Sequence, residues 1–215
     1  MTALYLDSAN TQEWAQMSQL GLSRRVTCNP LLLQAVGLPV TMATLEQLAH
    51  ESVRLGLEEL HLQAWPNEQG DWYPIAQAIA NLGDHIVVKL PAVAAAMVAA
   101  AQLKQKGHKI LITAISNPIH ALWASQIGAD YVAPYVGRLQ EAGVDTHALL
   151  SSMVVQQKLG GPIVLAASIR NLEMLNQVIQ TGVAAVTVQK KLIHEGLTDA
   201  QTFLAVQQFE AARQG

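Results

Sequence analysis

Eight short runs of β-forming residues recur along this chain, separated by stretches with helical periodicity, and that alternation restricts the fold more than any other feature. The runs cover residues 3–7, 25–28, 59–64, 85–90, 109–114, 130–136, 162–168 and 184–189. Several are unbroken apolar segments rich in Val, Ile and Leu, the pattern of parallel strands covered on both faces. Between them, Leu45, Leu48, Ala49 and Val53 share one predicted helix face, and Val93, Ala96, Met97 and Ala100 share another. Gly107, Gly128, Gly161 and Gly182 each precede a strand, as glycines do where a helix ends and a short loop begins. The longest gap, residues 29–58, has room for one or two helices. Eight β-α units without a linker predict an α/β fold, a single-domain (β/α)8 barrel over 1–215. An open doubly wound sheet is the alternative, but its first turn ordinarily carries a glycine-rich phosphate loop. Here that turn reads Asp7-Ser8-Ala9-Asn10.

Composition removes several classes of function. Thirteen Lys and Arg against sixteen Asp and Glu leave a formal charge of −3, with no basic cluster of the kind that phosphodiester backbones require. Arg24-Arg25 and Lys190-Lys191 are isolated pairs, read as solvated or structural, and nucleic acid is not an expected partner. The lone Cys28 excludes an internal disulfide and a cysteine-based zinc site. The apolar stretch 92–101 is shorter than the roughly 18 residues of a membrane span. The first residues carry no basic leader segment, so the expected setting is cytoplasmic. The seven histidines lack ligand spacing, and His194-Glu195 has no second histidine to complete a zinc motif. Neither a metal nor a cofactor is expected.

A parallel barrel gathers its chemistry at the C-terminal ends of its strands. Those ends carry Asp7, Thr27 with Asn29, Gln63, Lys89, Thr113, Tyr135 with Arg138, and Ser168 with Arg170. One polar strand end is usually an anchor for a loop; a nearly complete ring of them predicts a site. Lys89 is the most informative, because it closes an apolar strand. Such a lysine snorkels to solvent, pairs with a carboxylate, or sits in a desolvated mouth. In the last case burial favours the free amine, which condenses with a ketone to a Schiff base.

Taken together these segments resemble the transaldolase family, and within it the small fructose-6-phosphate aldolase-like branch. The resemblance rests on Leu4-Tyr5-Leu6-Asp7, Val26-Thr27-Cys28-Asn29-Pro30, Val87-Val88-Lys89-Leu90-Pro91, Tyr131-Val132-Ala133-Pro134-Tyr135-Val136 with Arg138, and Val164-Leu165-Ala166-Ala167-Ser168. They follow the family's order along most of the chain. The resemblance implies a metal-free aldol chemistry in which Lys89 forms the Schiff base and Asp7 assists proton transfers. Gln63, Thr113 and Tyr135 match the trio that holds a catalytic water or acts as acid and base. Thr27 and Asn29 match residues beside the ketose carbonyl, and Ser168 and Arg138 match the phosphate site, to which Arg170 adds charge. Glu is usual at position 63 in transaldolases proper, so Gln63 beside Tyr135 implies the aldolase branch. The implied reaction is reversible cleavage of a ketose phosphate such as fructose 6-phosphate to dihydroxyacetone and glyceraldehyde 3-phosphate.

The chain departs from the family after Lys89, where Pro91 is followed by alanines and a valine up to Ala96 instead of polar residues. Gly137 stands where an asparagine usually precedes the phosphate-site arginine, Gln189 replaces a proline, and Cys28 a threonine. These leave the lysine machinery intact but change the surroundings of the substrate. A transaldolase moving a dihydroxyacetone unit between sugar phosphates, a barrel that binds a phosphorylated metabolite without catalysis, and a scaffold barrel are the competing readings. The resemblance also implies a homo-oligomer, a pentamer or decamer. A helix at about 198–213, with Phe203, Val206 and Phe209 on one face, is placed either to reach a neighbouring subunit or to cover its own barrel.

Overall fold

Eight strands close on themselves in sequence order in the computed structural model of the chain, which describes residues 2–214. They are β1 (Ala3–Asp7), β2 (Arg25–Thr27), β3 (Glu59–Gln63), β4 (Ile86–Pro91), β5 (Lys109–Ile115), β6 (Tyr131–Pro134), β7 (Ile163–Ala166) and β8 (Ala185–Val188). Each is parallel to its neighbours, and β8 pairs back onto β1 through Leu4↔Val186 and Leu6↔Val188. The expected barrel is therefore the observed one.

Side-chain alternation explains how such apolar strands divide their residues between two surfaces. On β4, Ile86, Val88 and Leu90 join the large outer cluster beneath the helices. Val87 faces inward, in a small cluster with Tyr5, Leu111, Tyr131, Ala133, Leu165 and Ala185 that fills the axis of the barrel. Lys89 shares the parity of Val87, one layer nearer the C-terminal mouth.

The outer layer is α1 (Thr11–Gln19), α2 (Pro30–Ala35), α3 (Met42–Arg54), α4 (Tyr73–Ala80), α5 (Ala94–Gln105), α6 (Ile119–Gln126), α7 (Val136–Glu141), α8 (Thr146–Lys158), α9 (Leu172–Gln180), α10 (Lys190–Leu197) and α11 (Ala200–Gln214). Among the described residues no helix is long and apolar enough to cross a membrane. The gap 29–58 holds two helices, α2 and α3.

Several local expectations need correction. On α3 the buried face is Leu45, Leu48, Ala49 and Ser52, whereas Val53 is 65% exposed. Ser52 is tolerated inside because its hydroxyl donates to the Ala49 carbonyl and meets His85 Nε2 at 2.7 Å. Val93 lies outside α5 as its N-cap and is half exposed, and the helix buries Ala96, Ala99, Ala100 and Leu103. No side chain caps α5, in keeping with the polar residues missing after Lys89. Gly160, at φ +91°, ends α8 in the left-handed region, not Gly161. At Gly161 a Cβ would lie 2.8 Å from the Gln156 carbonyl. β6 stops at Pro134, because Tyr135 already caps α7. On α11, Phe203, Val206 and Phe209 are all exposed, so they do not cover their own barrel.

Candidate active site

The C-terminal ends of the strands open into a cavity of about 400 Å³. Its wall includes Asp7, Thr27, Asn29, Lys89, Tyr135, Arg138, Ser168 and Arg170, eight of the ten residues singled out from the sequence. Gln63 and Thr113 lie outside that wall. Gln63 is the cross-strand partner of Lys89, and Thr113 reaches the cavity through Tyr135.

Lys89 is only 4% exposed. Its Nζ donates to the Cys28 carbonyl at 3.0 Å, and among the described residues no carboxylate lies within ion-pair distance of it. The pairing with an acid that was one alternative for this lysine is thus not formed. The single carbonyl bond orients the amine and leaves its remaining hydrogens, or its lone pair, for a ligand. Cys28 beside it is buried, and burial pushes its thiol up to about 12, which makes it a packing residue without thiolate character.

Asp7 faces the same cavity from β1. Burial pushes its carboxyl above the usual carboxylate range, and the charge of Lys89 and a hydrogen bond from Thr27 only partly oppose this. Thr27 Oγ1 donates to Asp7 Oδ1 at 2.7 Å and lies 2.7 Å from Thr187 Oγ1. With its one proton given to Asp7, Thr27 accepts from Thr187, so a Thr187–Thr27–Asp7 chain fixes the acid. Thr27, expected beside the substrate carbonyl, thus spends its donor on Asp7. Thr187 is buried on the wall of the cavity and was not singled out; the signal for it was the strand-end position in β8.

Asn29 caps α2. Its Oδ1 accepts from Leu31 and Leu32 N–H at 2.9 and 3.1 Å, with Pro30 at the first helical position. That assignment leaves the Asn29 amide hydrogens for the cavity. Thr113 Oγ1 donates to the Tyr135 hydroxyl at 3.1 Å, so the phenolic proton is free to point elsewhere. The Arg138 guanidinium lies 5.2 Å above the Tyr135 ring.

The rim between β6 and β7 is built from backbone as much as side chains. Val136 and Gly137 N–H, at the start of α7, bond to the Ala167 and Ser168 carbonyls at 2.9 and 3.0 Å. Ser168 itself has φ +62°, a conformation uncommon outside glycine, which turns its side chain into the cavity. At Gly137 a Cβ would come within 2.4 Å of the Ser168 carbonyl and 2.7 Å of Arg170 Nε. The missing asparagine is therefore the space that Arg170 uses. Arg170 also meets Glu141 at 3.3 Å in an exposed pair.

Two basic pairs were read as solvated or structural. Arg24 and Arg25 do bind Glu58, at 2.7 and 2.8 Å. Lys191 is exposed, as that reading has it, and with Gln189 it lines the open mouth of the cavity. Among the described residues no three His, Cys, Asp or Glu are grouped to hold a metal ion.

A buried lysine without an acidic partner and an arginine-bearing rim thus stand together at the C-terminal face of a parallel barrel, the face on which such barrels build their active sites. The family model for Transaldolase/Fructose-6-phosphate aldolase matches residues 4–214, and the chain belongs to that family. Its relatives include the probable transaldolase of Alkaliphilus metalliredigens (strain QYMF), 27% identical over 96% of this chain and 95% of that protein. The probable transaldolase of Dehalococcoides mccartyi (strain ATCC BAA-2266 / KCTC 15142 / 195) is 29% identical over 97% and 96%. That of Symbiobacterium thermophilum (strain DSM 24528 / JCM 14929 / IAM 14863 / T) is 29% identical over 96% and 94%.

Proposed function

We propose that the protein is an aldolase that forms a Schiff base through Lys89 and reversibly cleaves a ketose phosphate, such as fructose 6-phosphate, to dihydroxyacetone and glyceraldehyde 3-phosphate. The observation that carries the reading is the burial of Lys89 at the cavity floor with a carbonyl as partner and no acid within ion-pair distance. The amine adds to the ketone to give a carbinolamine, which loses water to an iminium. A base then removes the proton of the hydroxyl two carbons away, the intervening C–C bond breaks, and its electrons pass to the iminium to leave an enamine and the aldehyde. Protonation of the enamine carbon and addition of water release the ketone and restore the amine.

Asp7 suits the proton transfers at the lysine end, since its burial keeps a proton available at higher pH than an ordinary carboxyl would. Tyr135, held from behind by Thr113, suits the hydroxyl whose proton is lost, with Gln63 next to Lys89 supporting a water. Asn29 donates to hydroxyls near the carbonyl, and Arg138, Ser168 and Arg170 receive the phosphate.

The test is reduction with borohydride in the presence of dihydroxyacetone or fructose 6-phosphate, followed by intact mass and peptide mapping. A stable adduct on Lys89, absent in Lys89→Met, supports the proposal. No adduct with a panel of ketoses, in folded protein, sinks it and favours a binding barrel. A second reading has its own support: the relatives are named probable transaldolases. In that case turnover of fructose 6-phosphate requires an aldose phosphate acceptor, and Gln63 is the residue that speaks against it.

A further inference from the structure

The cavity wall carries four cations, Lys89, Arg138, Arg170 and Lys191, against one carboxylate, Asp7. On the reading above Lys89 is committed to a carbonyl, and one phosphate is satisfied by Arg138, Ser168 and Arg170 on the β6–β7 rim. Lys191 and Gln189 come from the next strand end, β8, and are left over. Both side chains are exposed and neither has a hydrogen-bond or acidic partner among the described residues, and Arg170 is partly neutralised by Glu141 where Lys191 is not. The amide of Gln189 and the ammonium of Lys191 therefore present donors to the cavity, beside a site already built for an oxyanion.

We propose that Gln189 and Lys191 form a second anion subsite, and that the preferred substrate carries two oxyanionic groups on the end remote from its carbonyl. This rests on the Schiff-base reading for the placement of the carbonyl at Lys89, but the subsite is defined by its own residues. Lys191 is exposed at the mouth, lines the cavity, and among the described residues has no acid within ion-pair distance. The neighbouring Lys190 supplies an internal comparison, because it carries the same charge at the same helix end without lining the cavity.

The experiment is calorimetric titration of the full chain at low salt with inorganic phosphate and with pyrophosphate, a probe with two linked anions. Wild type is expected to bind pyrophosphate more tightly than phosphate. In Lys191→Met that preference shrinks by about tenfold, the order expected for losing one charge-assisted contact, and in Lys190→Met it is kept. Arg138→Met weakens both ligands together. A preference that is equal in wild type and Lys191→Met, one lost equally in Lys190→Met, or no pyrophosphate binding to wild type would each overturn the subsite. Borohydride trapping of wild type with dihydroxyacetone, which carries no anion, reports separately on Lys89. Its failure would remove the aldolase reading while leaving the anion result to stand or fall alone.

Discussion

Asp7 and Tyr135 line the same cavity as Lys89 with opposite debts to the fold. The carboxyl of Asp7 is buried, and its pKa is raised above the ordinary value of 3.8. A raised carboxyl favours the folded state at pH values below its unfolded pKa, and that contribution is lost as pH rises through the folded value. At pH 7, above the unfolded value, the burial of Asp7 therefore costs stability. Asp7→Asn is expected to melt at a higher temperature than wild type at pH 7, with the gap closing towards pH 4, while turnover falls; differential scanning calorimetry across pH checks this. The Tyr135 hydroxyl makes one hydrogen bond among the described residues, accepted from Thr113. Tyr135→Phe should lower kcat by about 10²–10³-fold and still give the borohydride adduct on Lys89, which separates acid-base work from Schiff-base formation. The polar strand ends were legible because barrel topology sends them to one mouth. What each hydroxyl spends its proton on was not legible, since the Thr187–Thr27–Asp7 chain joins residues 160 apart in sequence.

At the scale of elements, the first turn of α7 and the loop after β7 form one unit. Two backbone hydrogen bonds join them, and the Arg170 side chain rests where a side chain at position 137 would go. Gly137→Ala cannot be absorbed by a flexible neighbour alone, because the nearest atom is the Ser168 backbone carbonyl. It should destabilise by about 1–3 kcal/mol and weaken phosphate binding by displacing both arginines, which thermal melts with and without phosphate would reveal. From the sequence, Gly137 reads as the loss of a polar group; in space it is the gain of an arginine position. On the two faces read from periodicity Leu45, Leu48, Ala49, Ala96 and Ala100 are buried, but the boundary residues Val53 and Val93 are exposed. A face drawn at fixed spacing takes no account of where a helix begins, or of a buried Ser52 that finds its own partners.

Across the whole molecule the barrel is sealed from below. Glu59 on β3 accepts from the Tyr131 hydroxyl at 2.9 and 3.0 Å, from Tyr5 at 2.9 Å, and meets His61 Nε2 at 3.1 Å. Burial works to raise the Glu59 carboxyl, but its bonds to His61, Tyr131 and Tyr5 and the attraction of His61 prevail and hold it at about 2, while burial lowers His61 from its ordinary value. A lowered carboxyl contributes stability above its unfolded value near 4.5, and that stability is lost as pH falls towards 2. Glu59→Gln should therefore cost about 2 kcal/mol at pH 7 and show a flatter acid limb, read from urea unfolding at several pH values. Glu59, His61 and Gln63 alternate on β3, so their common face could have been seen in the sequence. Their tyrosine partners on β1 and β6 could not.

That sealed floor has a consequence for isotope traffic. Below Lys89 the axis is filled by Tyr5, Val87, Leu111 and Tyr131, so solvent hydrogen reaches the lysine only from above. If dihydroxyacetone is held there as an enamine in heavy water, deuterium enters its carbon through the same opening that admits the aldehyde. Saturating the rim with inorganic phosphate leaves that opening free, whereas an occupying aldose phosphate closes it. Deuterium incorporation followed by NMR should therefore fall steeply with the second ligand and little with the first, as in a vessel with a single neck.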